Sequence, residues 1–183
     1  MKYSKLFILS FFITVILFLF TSCEKETMNV LPKETQLAKN TFGCMINNQL
    51  FIGGGYYSFI GYSPLSAEYN RSSKTLGIFT VSKIYTDKAN GSMGLMIANP
   101  VEGSTQKLSH VTYIVDVPDC YQYLILNEGE VYLTKFDTIN KIVSGRFSFK
   151  GKCAGYANDF KVNGDSVQIT QGRFDVLLDI TSN

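Results

Sequence analysis

The stretch KIVSGRFSFKG, Lys141 to Gly151, constrains the fold more than any other. Val143, Gly145, Phe147 and Phe149 fall on one face, and Ser144, Arg146, Ser148 and Lys150 on the other. A period of two is that of a half-buried strand in an antiparallel sheet, where successive side chains point to opposite faces. The pattern recurs in GRFDVLLDI, where Phe174, Val176, Leu178 and Ile180 alternate with Arg173, Asp175 and Asp179, and in SKTLGIFTVSKIY, where Leu76, Ile78, Thr80 and Ser82 share a face. Turn signals punctuate these runs: Asn47-Asn48, Asn127-Glu128-Gly129, Pro118 and Asn163-Gly164, the last being the strongest short hairpin signal. Outside the N-terminal leader no window sustains a helical period. The expected class is all-β, a single antiparallel β-sandwich or closed β-barrel-like domain, because about a dozen strands are too many for one open sheet.

The chain opens with Lys2 and Lys5, runs through an almost wholly apolar Leu6 to Phe20, and meets Thr21-Ser22-Cys23 before turning polar at Glu24. Basic residues, an apolar stretch and a small-residue end are the parts of a secretory signal. Small residues just before a cysteine suit a peptidase with a narrow cleft, and the thiol is the side chain that readily takes a thioether to diacylglycerol. The segment resembles a bacterial lipoprotein lipobox, with Phe20 where an aliphatic residue is usual. The alternatives are an ordinary cleaved signal or an uncleaved anchor. The expected organisation is a lipoprotein signal at 1–22, a lipid-anchored polar tether at 23–40 and the all-β domain at 41–183. Docking on the domain is an equally good reading for Leu31 to Asn40. Acyl chains of the palmitate type on Cys23, at about 0.8 kcal/mol per buried methylene, would hold the protein to a bilayer.

From Cys23 onward the chain has 15 basic and 15 acidic residues. No basic stripe suggests a nucleic-acid partner. About 160 residues form one domain with a full core. Export leads away from the reducing cytosol, so the remaining cysteines are free to oxidise. Cys120 and Cys153 flank an expected strand pair and could meet across its open end; alternatively Cys44, Cys120 and Cys153 are all small buried apolar residues. One histidine and no CxxC argue against zinc, and no metal or cofactor is expected.

Tyr56, Tyr57 and Tyr62, beside Gly53-Gly54-Gly55, form the leading candidate ligand site, since tyrosine rings stack and their hydroxyls hydrogen-bond. The alternative places alternate rings in the core. His110 lacks the context of a nucleophile and reads as an ordinary strand-start residue. Glu128 and Glu130 bracket a turn glycine and read as solvated. Asp159, Asn163 and Asp165 supply oxygens near one turn without calcium-loop spacing. The sequence also echoes itself: SGRFSF at Ser144–Phe149 and QGRFDV at Gln171–Val176 share Gly-Arg-Phe. Two copies are too few for a repeat architecture, so arginine is expected to face solvent, phenylalanine to fill the core, and Arg173 and Asp175 to make an exposed charge pair of about 0–1 kcal/mol.

LPKETQLAKNTFGCMINNQLF (Leu31 to Phe51) resembles the opening of Bacteroidetes-type lipoproteins that carry a domain of unknown function, in Leu31, Pro32, Thr35, Asn40, Thr41, Phe42, Gly43 and Cys44; Asn48 stands where those chains have a turn glycine. Gly129 to Phe149 and Val167 to Val176 resemble their closing strands. The resemblance implies a lipid anchor and an all-β fold, and brings no activity. The expected function is that of a non-enzymatic envelope lipoprotein whose β domain binds a small ligand or a partner protein, held through Cys23 at the outer membrane on its periplasmic or surface face. A carboxylate-dependent hydrolase and a structural subunit of an envelope assembly are the alternatives.

Overall fold

A computed structural model describes residues 30–54, 63–82, 91–117, 120–124, 129–153 and 166–182, the side chains of 116, 117, 120, 121 and 124 excepted. Among these residues eleven strands follow in order: β1 (Thr41–Ile46), β2 (Gln49–Ile52), β3 (Leu65–Asn70), β4 (Thr75–Val81), β5 (Ser92–Ala98), β6 (Thr105–Lys107), β7 (His110–Val117), β8 (Cys120–Leu124), β9 (Glu130–Asp137), β10 (Ile142–Cys153) and β11 (Ser166–Thr181). No helix occurs among the described residues, as the missing 3.6-residue period implies.

Two long strands decide the architecture. The first part of β11 lies between β1 and β10, and its last four residues leave β1 to pair with β3. Likewise β10 lies along β9 over most of its length and meets β8 at Lys152 and Cys153. One layer therefore runs β2-β1-β11-β10-β9-β6 and the other β3-β4-β5-β7-β8. The switches at the ends of β10 and β11 close a ring of β10, β11, β3, β4, β5, β7 and β8. The sandwich and the barrel of the sequence reading are thus combined: two layers, joined at opposite corners by strands that belong to both.

Two features depart from the expected antiparallel pattern. Leu178↔Ala67 to Thr181↔Asn70 is a parallel ladder, so the sheet is mixed. The alternating run GRFDVLLDI reads as a strand of its own, yet Ser166–Thr181 is continuous. Gln171 explains this. It is an extra residue at φ 53° against both neighbours: β10 advances from Phe147 to Phe149, and β1 from Gly43 to Met45, while β11 covers three positions. The bulge resets the alternation, so Val167, Ile169, Gly172, Phe174, Val176 and Leu178 all face inward.

The Asn47-Asn48 turn closes the β1–β2 hairpin with φ 47° and 65°, the double left-handed geometry of a type I′ turn. Asn47 also donates its amide to the Gln168 carbonyl and accepts from the Gln168 amide on Oδ1, which fastens the hairpin tip to β11.

The core lies between the layers. Phe51 on β2 meets Tyr113 on β7 edge-on at 6.3 Å, and Tyr69 on β3 meets Phe136 on β9 at 5.1 Å. Phe147 stands at its centre, 5.1 Å from Phe42 and 6.2 Å from Phe174. Truncating such a ring to alanine costs about 3–5 kcal/mol. Cys44 is a fully buried free thiol whose pKa burial pushes up. Cys153 is disulfide-bonded, so the reading of all three internal cysteines as buried thiols fails for it.

Candidate functional site

The Gly-Arg-Phe echo is explained by register. The two copies pair with each other antiparallel: Gly145↔Phe174, Arg146↔Arg173 and Phe147↔Gly172. On the inner face each glycine leaves room for the opposite ring. A Cβ on Gly145 would stand 2.8 Å from Phe174 Cζ, and one on Gly172 would stand 2.7 Å from Phe147 Cδ1. On the outer face the same register puts one arginine directly opposite the other. Like charges so placed destabilise a strand pair, so the arrangement calls for a counter-charge.

Residues before β1 supply one. Glu34 Oε2 accepts from Arg146 Nε at 2.8 Å and Nη2 at 2.6 Å. The segment is docked along the outer face of β1 and β11: Pro32 packs where a Gly43 Cβ would be, and the Pro32 carbonyl accepts from Arg173 Nη1 at 3.3 Å. Asp175 fastens it. Its Oδ1 accepts from Ala38 N (2.9 Å) and Ser144 Oγ (2.7 Å), and its Oδ2 from Leu37 N and Lys39 N (both 3.1 Å) and from Thr35 Oγ1. The docked reading of Leu31 to Asn40 therefore holds.

Asp175 and Arg173 do not form the exposed pair expected of them. Asp175 is only 1% exposed and its acceptors are taken by the docked segment and Ser144. Burial alone would raise its pKa. The bonds from Thr35, Ser144 and the Lys39 and Leu37 amides outweigh that and leave the carboxyl more acidic than an ordinary aspartate. Arg173 Nε reaches the Gln171 carbonyl at 3.5 Å, so its partners are carbonyls, and among the described residues no carboxylate forms an ion pair with it.

Beside the arginines the surface is hollowed. A groove of about 270 Å³ is lined by Arg146, Arg173, Glu34, Tyr132, Ser148, Thr105 and Gln171 among others. It adjoins a second hollow of about 470 Å³, lined by Lys107, Lys150, Gln168 and Thr170 and sharing Glu130 and Ser148. Four cationic side chains thus face two carboxylates along one trough. Register explains its floor: Thr105 opposes Tyr132, Tyr132 opposes Arg146, and Glu130 opposes both Lys107 and Ser148. The Gln171 bulge borders the groove, as bulges that re-aim side chains commonly do.

Tyr56, Tyr57 and Tyr62 lie outside the described residues, as do Cys23, Glu128, Asp159, Asn163 and Asp165. The side chain of Cys120 is likewise outside the description. His110 is exposed at the start of β7, opposite Met96. Glu130, read as a solvated turn residue, is an exposed strand residue that lines the trough. Glu34 and Arg146 were not singled out as site residues by sequence. The signal that could have found the arginines was the echo itself, since antiparallel pairing of its copies places Arg146 against Arg173. Comparison with models of known protein families, with curated proteins and with solved structures finds no match.

Proposed function

We propose that this chain is an envelope lipoprotein, anchored through Cys23 at the outer membrane, whose β domain binds a polar ligand or partner without catalysing a reaction. The observation that carries the binding reading is the trough over β6, β9, β10 and β11, where Arg146 and Arg173 face each other and Arg173 has no carboxylate partner among the described residues. The anchor reading rests on Thr21-Ser22-Cys23 behind the apolar run and on the likeness of Leu31–Phe51 to Bacteroidetes-type lipoproteins.

Chain length supports the pairing of anchor and domain. Seven residue steps separate Cys23 from Val30, and the docked segment follows at once, so the domain surface lies within about 25 Å of the anchored sulfur. The trough is next to that segment, so its ligand would be met close to the membrane. Lipidation would also fix the disulfide: the chain has four cysteines, Cys44 is free and Cys153 is bonded, so a Cys23 thioether leaves Cys120 as the partner.

Two experiments test the reading. Clickable fatty acid fed to cells should label the wild type and not Cys23→Ala; equal labelling of both refutes the anchor. A photoreactive side chain at position 148 should acquire mass adducts in intact cells that the same group at position 74, in the exposed β3–β4 turn, does not; equal yields refute the trough.

A further inference from the structure

We propose that the Arg146–Arg173 pair is a phosphate site, in which a ligand's phosphate group lies between the two guanidinium groups and takes the place that Glu34 holds on Arg146. This deepens the binding reading above and rests on the trough being the ligand site.

Four observations carry it. Arg146 and Arg173 are direct cross-strand partners, so their side chains leave the sheet about 5 Å apart on one face. Arg146 sits in an exposed ion pair and Arg173, among the described residues, in none. Arg146 is 61% exposed and Glu34 41% exposed, and exposed pairs are weak enough for a ligand to displace. Among the described residues Arg173 donates to two carbonyls, at 3.3 and 3.5 Å, and no carboxylate forms an ion pair with it. Hydroxyl-bearing Ser148, Thr105 and Tyr132 line the same groove.

Charge and donor number select phosphate over a carboxylate. Once Glu34 is displaced, two positive charges face the ligand, which a dianion balances and a monoanion does not. Two facing guanidinium forks suit the three tetrahedrally arranged oxygens of a phosphate monoester, which reach both forks, whereas the two coplanar oxygens of a carboxylate match one fork. The group could be carried by a soluble molecule or by a lipid headgroup, given the nearby anchor.

The test is calorimetric titration of the purified full-length chain in non-ionic detergent. One arm uses inorganic phosphate; the other uses short-chain phosphatidic acid, with phosphatidylcholine of equal chain length as control. Arg146→Ala and Arg173→Ala should each weaken binding about tenfold or more, as expected for loss of charge-assisted hydrogen bonds. Glu34→Gln should tighten it roughly two- to fivefold by removing the resident competitor. Lys74→Ala should leave it unchanged. Binding of inorganic phosphate assigns a soluble source, and binding of phosphatidic acid alone assigns the headgroup. Near-UV circular dichroism reports whether each variant folds; if Arg173→Ala does not, Arg146→Ala and Glu34→Gln still carry opposite expected signs. No binding of either probe, unchanged affinity in the folded arginine variants, or equal weakening by Lys74→Ala overturns the proposal. If phosphate binding fails while adducts at position 148 persist, the phosphate is lost and the trough remains. If both fail, the trough is lost as well.

Discussion

Asp175→Asn replaces one carboxylate oxygen with an amide NH2 where five donors converge. If the retained oxygen keeps Ala38 N and Ser144 Oγ, the new NH2 faces the Leu37 and Lys39 amides, which then have no acceptor. The Thr35 hydroxyl can turn and accept instead. Two charge-assisted hydrogen bonds are lost, at about 1.5–3 kcal/mol each. Peeling of the docked segment caps that cost, because its amides then recover water and its backbone recovers conformational freedom. The expected net loss is about 2–4 kcal/mol in urea unfolding. Hydrogen exchange should show loss of protection at Leu37, Ala38 and Lys39 before any effect on β11 itself. Acid unfolding adds a second reading. The folded carboxyl is more acidic than its unfolded reference of 3.8. Its stabilisation is therefore complete above that value and fades as pH falls below it toward the folded pKa. The asparagine variant should lack this part of the acid slope. Unchanged protection at 37–39 together with an unchanged urea midpoint would refute the clasp.

Other substitutions probe the geometry around it. Gly172→Ala puts a Cβ 2.5 Å from the Phe147 carbonyl oxygen and should destabilise by about 1–3 kcal/mol, with chevron or equilibrium unfolding as the measure. Asn48→Gly, at φ 65°, relieves a left-handed residue in the β1–β2 turn and should raise stability by up to about 1 kcal/mol, read from the urea midpoint. Cys44, buried and with its thiol pKa raised, should ignore a thiol reagent in the native protein and react fully once unfolded; rapid native labelling would contradict the packed core.

The all-β class was legible because burial is written in alternation: every residue assigned inward in Val143–Phe149 and Phe174–Leu178 is buried. The Asn47-Asn48 turn was legible because asparagine tolerates positive φ. The joined layers were not, because they depend on β10 and β11 changing partners near their ends, and local pattern carries no partner information. The single long β11 was hidden by Gln171, whose extra position breaks the alternation and imitates a strand boundary. The clasp was hidden for a related reason. Asp175 occupies an outward position, and outward aspartates are ordinarily solvated; only the docked segment buries it. The arginine pair was visible as an echo, but its meaning required the register.

The lipid anchor is tested most directly by mass spectrometry of the protein isolated from its native membranes. The N-terminal peptide should start at Cys23 and carry diacylglyceryl and fatty acyl groups, and a disulfide-linked peptide should join Cys120 to Cys153. A leader still attached ahead of position 23, or an unmodified or disulfide-bonded Cys23, would contradict the anchor.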